Sequence, residues 1–446
     1  MPVRTVAGSD LAYALVVFDD KGDERPEPDG SFLSETLAQR VADPARPITD
    51  VFFSAHGWQG DVPAAIAQFD RWITAVAAQQ ADRALAENRP GGFAPLIIGL
   101  HWPSLPFGDE NAPAGAPAVL SASPTSGPVT PAEVDAWAAR IADTPKARAA
   151  IRTVLEASRQ ETASATPSAQ LLDAYATVFA ESGLDARGSA AAPGADQEGF
   201  DPAAIIAQTG PTPAQPKTQL LSIGDTLSGL FLSPLRQLSF WKMKDRARQF
   251  GENGAHRLLV RLQNAAPKAR FHLMGHSFGC IVVSATVAGP AGAPGLPRPV
   301  DSLFLVQGAL SLWSYASDIP YAVGTAGYFN RIVAQGLVRG PIVTTRSSHD
   351  TAVGRFYPLG AQIRKQLVLG DDLPAYGGIG SFGIQGTKGA ESMPMRPATF
   401  TYGFRPATIY NLEASDIIKN GSGASGAHSD IAHPEVAHAF WAATLT

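Results

Sequence analysis

The stretch that decides the fold is Phe271-His272-Leu273-Met274-Gly275-His276-Ser277-Phe278-Gly279-Cys280-Ile281-Val282-Val283-Ser284-Ala285. The run from Phe271 to Met274 is short and apolar, the signature of a strand buried on both faces. The run from Cys280 to Ala285 is apolar without alternation and reads as the first turns of a buried helix. Between them, Gly275-His276-Ser277-Phe278-Gly279 must turn the chain sharply. Glycines at −2 and +2 from Ser277 let strand and helix approach closely, which pushes the serine hydroxyl out beyond the sheet edge.

Outward from this stretch, strand patterns recur at 11–18, 50–55, 94–102, 302–308, 341–346 and 406–412, around the strand at 270–274. Helical patterns lie between them. Residues 63–87 place Ile66, Phe69, Trp72, Ile73 and Val76 at helical spacing, and further helices are expected at about 243–264, 278–287, 355–368 and 434–443. This alternation predicts an α/β fold, a mainly parallel sheet with helices on both faces. The segment 104–235 breaks the alternation. It is rich in Pro, Ala and Gly at about 103–130 and 185–217, and its helical patterns at 131–143, 146–163 and 167–183 have no strand between them. It is expected to be a helical cap or lid inserted into a core made of 1–103 and 236–446, over the carboxyl ends of the strands. The amphipathic run 220–241 either packs the insertion onto the core or lines an apolar groove.

Composition narrows the function. The 35 basic and 40 acidic residues leave a formal charge of −5, so there is no electrostatic footprint for nucleic acid or an anionic membrane. The single cysteine, Cys280, excludes an intrachain disulfide, and its place in the helix after the turn makes it a small core residue rather than a reactive thiol. No apolar run approaches the ~20 residues of a spanning helix, and the start carries no basic-then-apolar leader, so the expected location is cytoplasmic. No zinc spacing and no Walker lysine occurs. Gly378-Ile379-Gly380-Ser381-Phe382-Gly383 matches a dinucleotide fingerprint, but no strand precedes it and more glycines follow, so it reads as a loop. No metal or cofactor is expected.

A serine hydroxyl becomes a useful nucleophile only beside a base that a third group orients. Downstream of Ser277, Asp350 follows the strand 341–346, and His428 follows the last strand and a Gly/Ser-rich loop, 420–427. The order Ser, Asp, His and the position of each past a strand end suit such a set. Upstream, the strand 50–55 runs into His56-Gly57-Trp58, where the Trp58 N–H and the Phe278 N–H are candidates for a two-donor oxyanion hole. On these residues the chain resembles the α/β-hydrolase superfamily, in particular its lipases and esterases. The resemblance covers about 1–103 and 236–446 and implies hydrolysis of a small-molecule or lipid-like ester through an acyl-enzyme.

Other readings stay open. Asp350 also suits a helix N-cap, and Asp371, Asp372 and Asp416 are rivals for its role. His433 competes with His428, whereas His438 suits packing within the last helix. His56 and His101 suit loop tethers, and His276 lines the turn. An amidase, peptidase or acyltransferase would use the same residues, and a catalytically silent hydrolase fold serving as a binding module, with the insertion as its interaction surface, would need a broken set that the sequence does not show. The oligomeric state has no signature in the sequence.

Overall fold

A computed structural model describes residues 3–58, 62–104, 127–159, 166–184, 191–196, 199–209, 231–351, 373–421 and 426–446. Nine strands form one sheet: β1 (Val3–Thr5), β2 (Ala12–Val17), β3 (Asp50–Ala55), β4 (Pro95–His101), β5 (Arg270–His276), β6 (Ser302–Val306), β7 (Ile342–Arg346), β8 (Glu391–Pro394) and β9 (Ile409–Glu413). Their spatial order is β1-β2-β4-β3-β5-β6-β7-β9-β8, and every pair is parallel except β1 with β2.

Strand alternation builds two apolar layers. Val51, Phe53, Ala55, Phe271, Leu273, Leu303 and Leu305 face one way. Phe52, Met274, Phe304 and Val306, one residue out of phase, face the other. The first layer is covered by the helices Leu33–Ala42, Ser233–Phe250, His256–Ala265 and Gly279–Ala288, the second by Val62–Ala77 and Pro434–Thr444. An α/β sheet with helices on both faces is therefore what this pattern makes. From β3 the chain crosses to β4 on one side, and then returns to β5 on the other. Strand order thus reverses between β3 and β5, and in an open α/β sheet the crevice at the carboxyl ends of such a pair is where ligands bind.

Several elements differ from the sequence pattern. The expected helix 63–87 is two helices, Val62–Ala77 and Gln80–Asn88. Ala78 and Gln79 between them are not helix breakers, so the break has no local signal. Edge strands β1 and β8, three and four residues long, are too short to show alternation. Strand β5 runs two residues further than its apolar run, as far as His276. The glycine-rich stretch around Gly380 contains one helical turn, Ile379–Phe382, with no strand before it. The helix expected at 355–368 and most of both Pro/Ala/Gly-rich stretches lie outside the described residues.

Between β4 and β5 the described residues form helices and no strand: Pro131–Ala138, Pro145–Arg159, Ala169–Ser182, Pro202–Thr209 and Ser233–Phe250. Thr130 caps the first with a reciprocal box, its hydroxyl accepting from the Glu133 N–H while the Glu133 carboxylate accepts from the Thr130 N–H. Trp137, Ile151, Val154, Tyr175 and Val178 share one core with Leu235, Leu238 and Trp241, and with Ile281 beside the turn. The segment is thus packed onto the sheet face that carries the helix Gly279–Ala288. The expected boundary at 235/236 falls inside the helix Ser233–Phe250, which continues through one π-helical turn, Gly251–Ala255, into His256–Ala265. Residues 220–230 of the amphipathic run lie outside the described residues. No described helix is long and apolar enough to cross a membrane.

One of the tight backbone contacts in this frame is at Gly279, where an added Cβ would lie 2.1 Å from the Ala55 carbonyl oxygen on β3. Backbone cannot yield as a flexible side chain does. Gly279→Ala is therefore expected to lower stability by about 1–3 kcal/mol or more, measured by denaturant unfolding. Gly199→Ala, with nothing within 4 Å, should be near neutral in the same assay.

Candidate active site

Ser277 has φ 58°, a left-handed conformation that costs a non-glycine residue of order 1–3 kcal/mol and persists only where the surroundings enforce it. They do so here through backbone bonds. The Ser277 N–H donates to the Val306 carbonyl on β6 (3.1 Å), and the Ser277 carbonyl accepts from Cys280 (3.1 Å) and Ala309 (3.2 Å). Gly57 lies directly against the serine, since a Cβ there would be 2.9 Å from Ser277 Cβ and 3.4 Å from Oγ. Strands β3 and β5 thus deliver Gly57 and Ser277 to the crevice at the point where strand order reverses.

Two loops complete the cluster. Asp350 follows β7 and is fully buried. Its backbone pairs with Gly426 in an antiparallel bridge, and the Ala427 N–H donates to the His349 carbonyl at 3.0 Å. The two loops are therefore stitched together by main chain immediately before His428. Gly380 lies alongside, and a Cβ there would approach Asp350 Oδ2 to 3.1 Å. The side chains form one line. His428 Nδ1 is 2.8 Å from Asp350 Oδ2, and His428 Nε2 is 2.7 Å from Ser277 Oγ. A carboxylate only accepts, so Nδ1 carries the proton and Nε2 is left to accept from the serine hydroxyl. The chemical capacity of this arrangement is proton removal from Ser277 as its oxygen attacks an electrophile.

The rivals are elsewhere. Asp416 is exposed on the surface. His433 pairs with Asp430 at 2.8 Å, and His438 Nδ1 is 2.8 Å from Asp82, tethering the last helix. Asp371 and Asp372 lie outside the described residues. Cys280 Sγ donates to the Gly275 carbonyl at 3.1 Å, and burial pushes its thiol well up.

The turn at 56–58 is held from behind. His56 Nδ1 is 2.9 Å from the Gly57 carbonyl and its Nε2 is 3.0 Å from His101 Nδ1, while the Trp102 indole donates to the His56 carbonyl at 3.0 Å. No described peptide is cis, so the Trp58 N–H points opposite to the Gly57 carbonyl, away from the His56 ring. The Phe278 N–H stands at the N-terminus of the helix Gly279–Ala288, where first-turn amides have no intrahelical acceptor and the dipole is positive. The Trp58 ring stacks on Phe278 (5.8 Å between centroids), and Phe240 from the helix Ser233–Phe250 meets Phe278 at 5.0 Å. These rings form an apolar wall beside the two amides.

A second Ser–His–Asp row occurs at the opposite, amino end of the sheet, on β3, β5 and β6. His272 lies 2.8 Å from Ser302 Oγ and 3.2 Å from Asp50 Oδ1. All three are buried within strands, with Arg89 and Arg270 closing on Asp50, and Ser302 has ordinary extended backbone. It is a cross-strand polar ladder, with no access to Ser302. A cavity of about 480 Å³, lined by Asp10, Tyr13 and Arg83 among others, opens at that same far end of the sheet, beside β2 and β4.

Three residues near the cluster escaped the sequence reading. Gln68 contacts His276, Gly380 abuts Asp350, and Gln307 follows β6 with φ 47°. Gln68 had a faint signal: it falls on the apolar helix face between Ala65 and Trp72. Compared with family models, curated proteins and solved structures, the chain matches none of them.

His56 and His276 carry a further consequence. Burial, and then the neighbouring His101 and His428 respectively, hold each imidazole down to about 3. In the unfolded chain a histidine takes up a proton as pH falls through about 6.5, so between these values the unfolded state binds more protons. Stability is therefore complete above about pH 6.5 and falls as pH drops, by up to about 1.4 kcal/mol per pH unit per histidine. Urea unfolding from pH 7 to pH 4.5 should show this slope. His56→Asn, which can still donate to Gly57, should flatten it.

Proposed function

We propose that the chain is a serine hydrolase of the α/β-hydrolase type that cleaves carboxylic esters through an acyl-enzyme on Ser277. The observation that carries the reading is the unbroken line Ser277 Oγ, His428, Asp350, at 2.7 and 2.8 Å, with Ser277 on a left-handed turn where strand order reverses. The chain order nucleophile, acid, base and the mainly parallel sheet agree with that superfamily.

Ser277 Oγ attacks the ester carbonyl as His428 Nε2 takes its proton. Asp350 keeps Nδ1 protonated and stabilises the imidazolium, and the N–H groups of Phe278 and Trp58 hold the oxyanion. Collapse breaks the bond to the alkoxide, which leaves with the proton from His428. Water, deprotonated by the same Nε2, then attacks the acyl-serine and releases the acid. The ring wall of Trp58, Phe278 and Phe240 beside the oxyanion donors favours an apolar acyl group. Phe240 comes from the helix that packs against the helical segment 127–209, so that segment acts as a cap that shapes the acyl pocket.

Ser277→Ala is expected to abolish hydrolysis of short p-nitrophenyl esters and labelling by a fluorophosphonate. Asp350→Asn should cost about 10⁴-fold in kcat, because the base then holds the wrong tautomer. Undiminished labelling of the Ser277→Ala protein would remove the serine from this role. Phe240→Ala should shift acyl-chain preference, read as kcat/KM across esters of increasing chain length, while labelling of Ser277 persists.

A further inference from the structure

Resting on the serine hydrolase reading, we propose that His276 is a positioning residue for the catalytic base, and that Gln68 and His276 form a relay that clamps the backbone of His428. The relay is two hydrogen bonds long. Gln68 Nε2 lies 3.0 Å from His276 Nδ1, and His276 Nε2 lies 2.8 Å from the His428 carbonyl oxygen.

The proton positions follow from the partners. A carbonyl oxygen only accepts, so His276 Nε2 carries the hydrogen. Nδ1 is then the bare nitrogen, and it accepts from the Gln68 amide. This is the neutral imidazole, in keeping with the burial that holds its pKa down to about 3. His276 Nε2 is spent on the His428 carbonyl and cannot serve Ser277, so the two neighbouring imidazoles, 5.0 Å apart, have separate tasks.

Among the described residues, hydrogen bonds hold the His428 loop to the acid side of the site and to itself. Ala427 donates to the His349 carbonyl, and Asp430 Oδ2 accepts from the Lys419 and Asn420 amides at 3.0 and 2.8 Å. The first bond ties the loop to the acid side of the site, and the other two close the loop on itself. His276 adds a tie from the His428 main chain to the nucleophile side, from the residue next to Ser277 in sequence. Nucleophile and base are therefore joined twice, through Oγ to Nε2 and through His276 to the His428 carbonyl. Gln68 extends the tie to the helix Val62–Ala77, which follows the 56–58 turn and packs against the helix Pro434–Thr444. A cavity of about 30 Å³ bounded by Gln68, Arg71, Trp72, His276 and Ser429 lies beside the relay. It exceeds the space one water needs, so the His276 ring is not packed tightly on that side.

The test compares His276→Phe, which keeps a buried ring but no donor, with His276→Gln, which keeps an amide N–H near the Nε2 position. Misplacing a reacting group by about 1 Å can cost about 10²-fold. His276→Phe should therefore lose about 10- to 100-fold in kcat and in fluorophosphonate labelling rate with KM unchanged, and His276→Gln should recover most of that loss. A purely packing role predicts the reverse order, with Phe tolerated and Gln not, and that order would overturn the proposal, as would wild-type kcat in His276→Phe. If thermal unfolding shows that His276→Phe does not fold, Gln68→Leu decides: lowered kcat at constant KM supports the relay, and unchanged kcat refutes it. If wild-type Ser277 itself is not labelled and no ester is cleaved, the hydrolase reading has failed, and the relay fails with it.

Discussion

The structure depends on one backbone contact. The helix after Ser277 begins so close to β3 that Gly279 Cα lies against the Ala55 carbonyl, and a Cβ on Gly275 would meet Gly279 O at 2.3 Å. Two segments that close leave no room for an ordinary loop between strand and helix. The chain must reverse within Ser277 and Phe278, and the only backbone that does so puts Ser277 at positive φ. The bonds to the Val306 carbonyl and from the Ala309 N–H hold that strained conformation, which turns the hydroxyl out of the sheet. Gly57 is drawn in by the same geometry, because β3 delivers it to the serine as directly as β5 delivers the serine itself.

The two Ser–His–Asp rows show why connectivity alone does not make a site. Both have hydrogen-bonding distances, and both draw on β5, which carries His272 and leads into Ser277. Ser302 is held inside a regular strand, its partners are locked by Arg89 and Arg270, and its hydroxyl has no route to a ligand. Ser277 is at the carboxyl end, on a turn, with His428 beside it on a loop and the Phe278 N–H at a helix N-terminus. The difference is which end of a parallel sheet each row occupies. At the carboxyl ends the helix N-termini and the loops converge, bringing positive dipoles and freely placed side chains together.

The segment between β4 and β5 is part of the same packing problem. Its described residues form no strand, and the apolar faces of its helices join the layer around Leu235, Leu238 and Trp241. Phe240, on that same helix, reaches Phe278 and Trp58. Under the proposed reading this couples the choice of acyl group to residues far from the reacting atoms in sequence.

Much of this was written locally. Apolar runs of strand length, helical spacing such as Phe69, Trp72 and Val76, and the Gly-x-Ser-x-Gly turn determined an α/β sheet and singled out Ser277, because each rests on a few consecutive residues. Asp350 and His428 were legible only as candidates among several, since a carboxylate and an imidazole become partners only when separate loops meet. Tertiary structure alone brought Asp350 rather than Asp416, and His428 rather than His433, into line with Ser277, where the Asp350–Gly426 bridge sets the loops in register. It also decided what no local pattern encodes: that Gln68 meets His276 across 208 positions of chain, that Gly380 is small because Asp350 lies against it, and that one helix runs through the expected boundary at 235/236. Contacts between residues far apart in the chain arise from how layers stack, and stacking is a property of the whole folded molecule rather than of any segment.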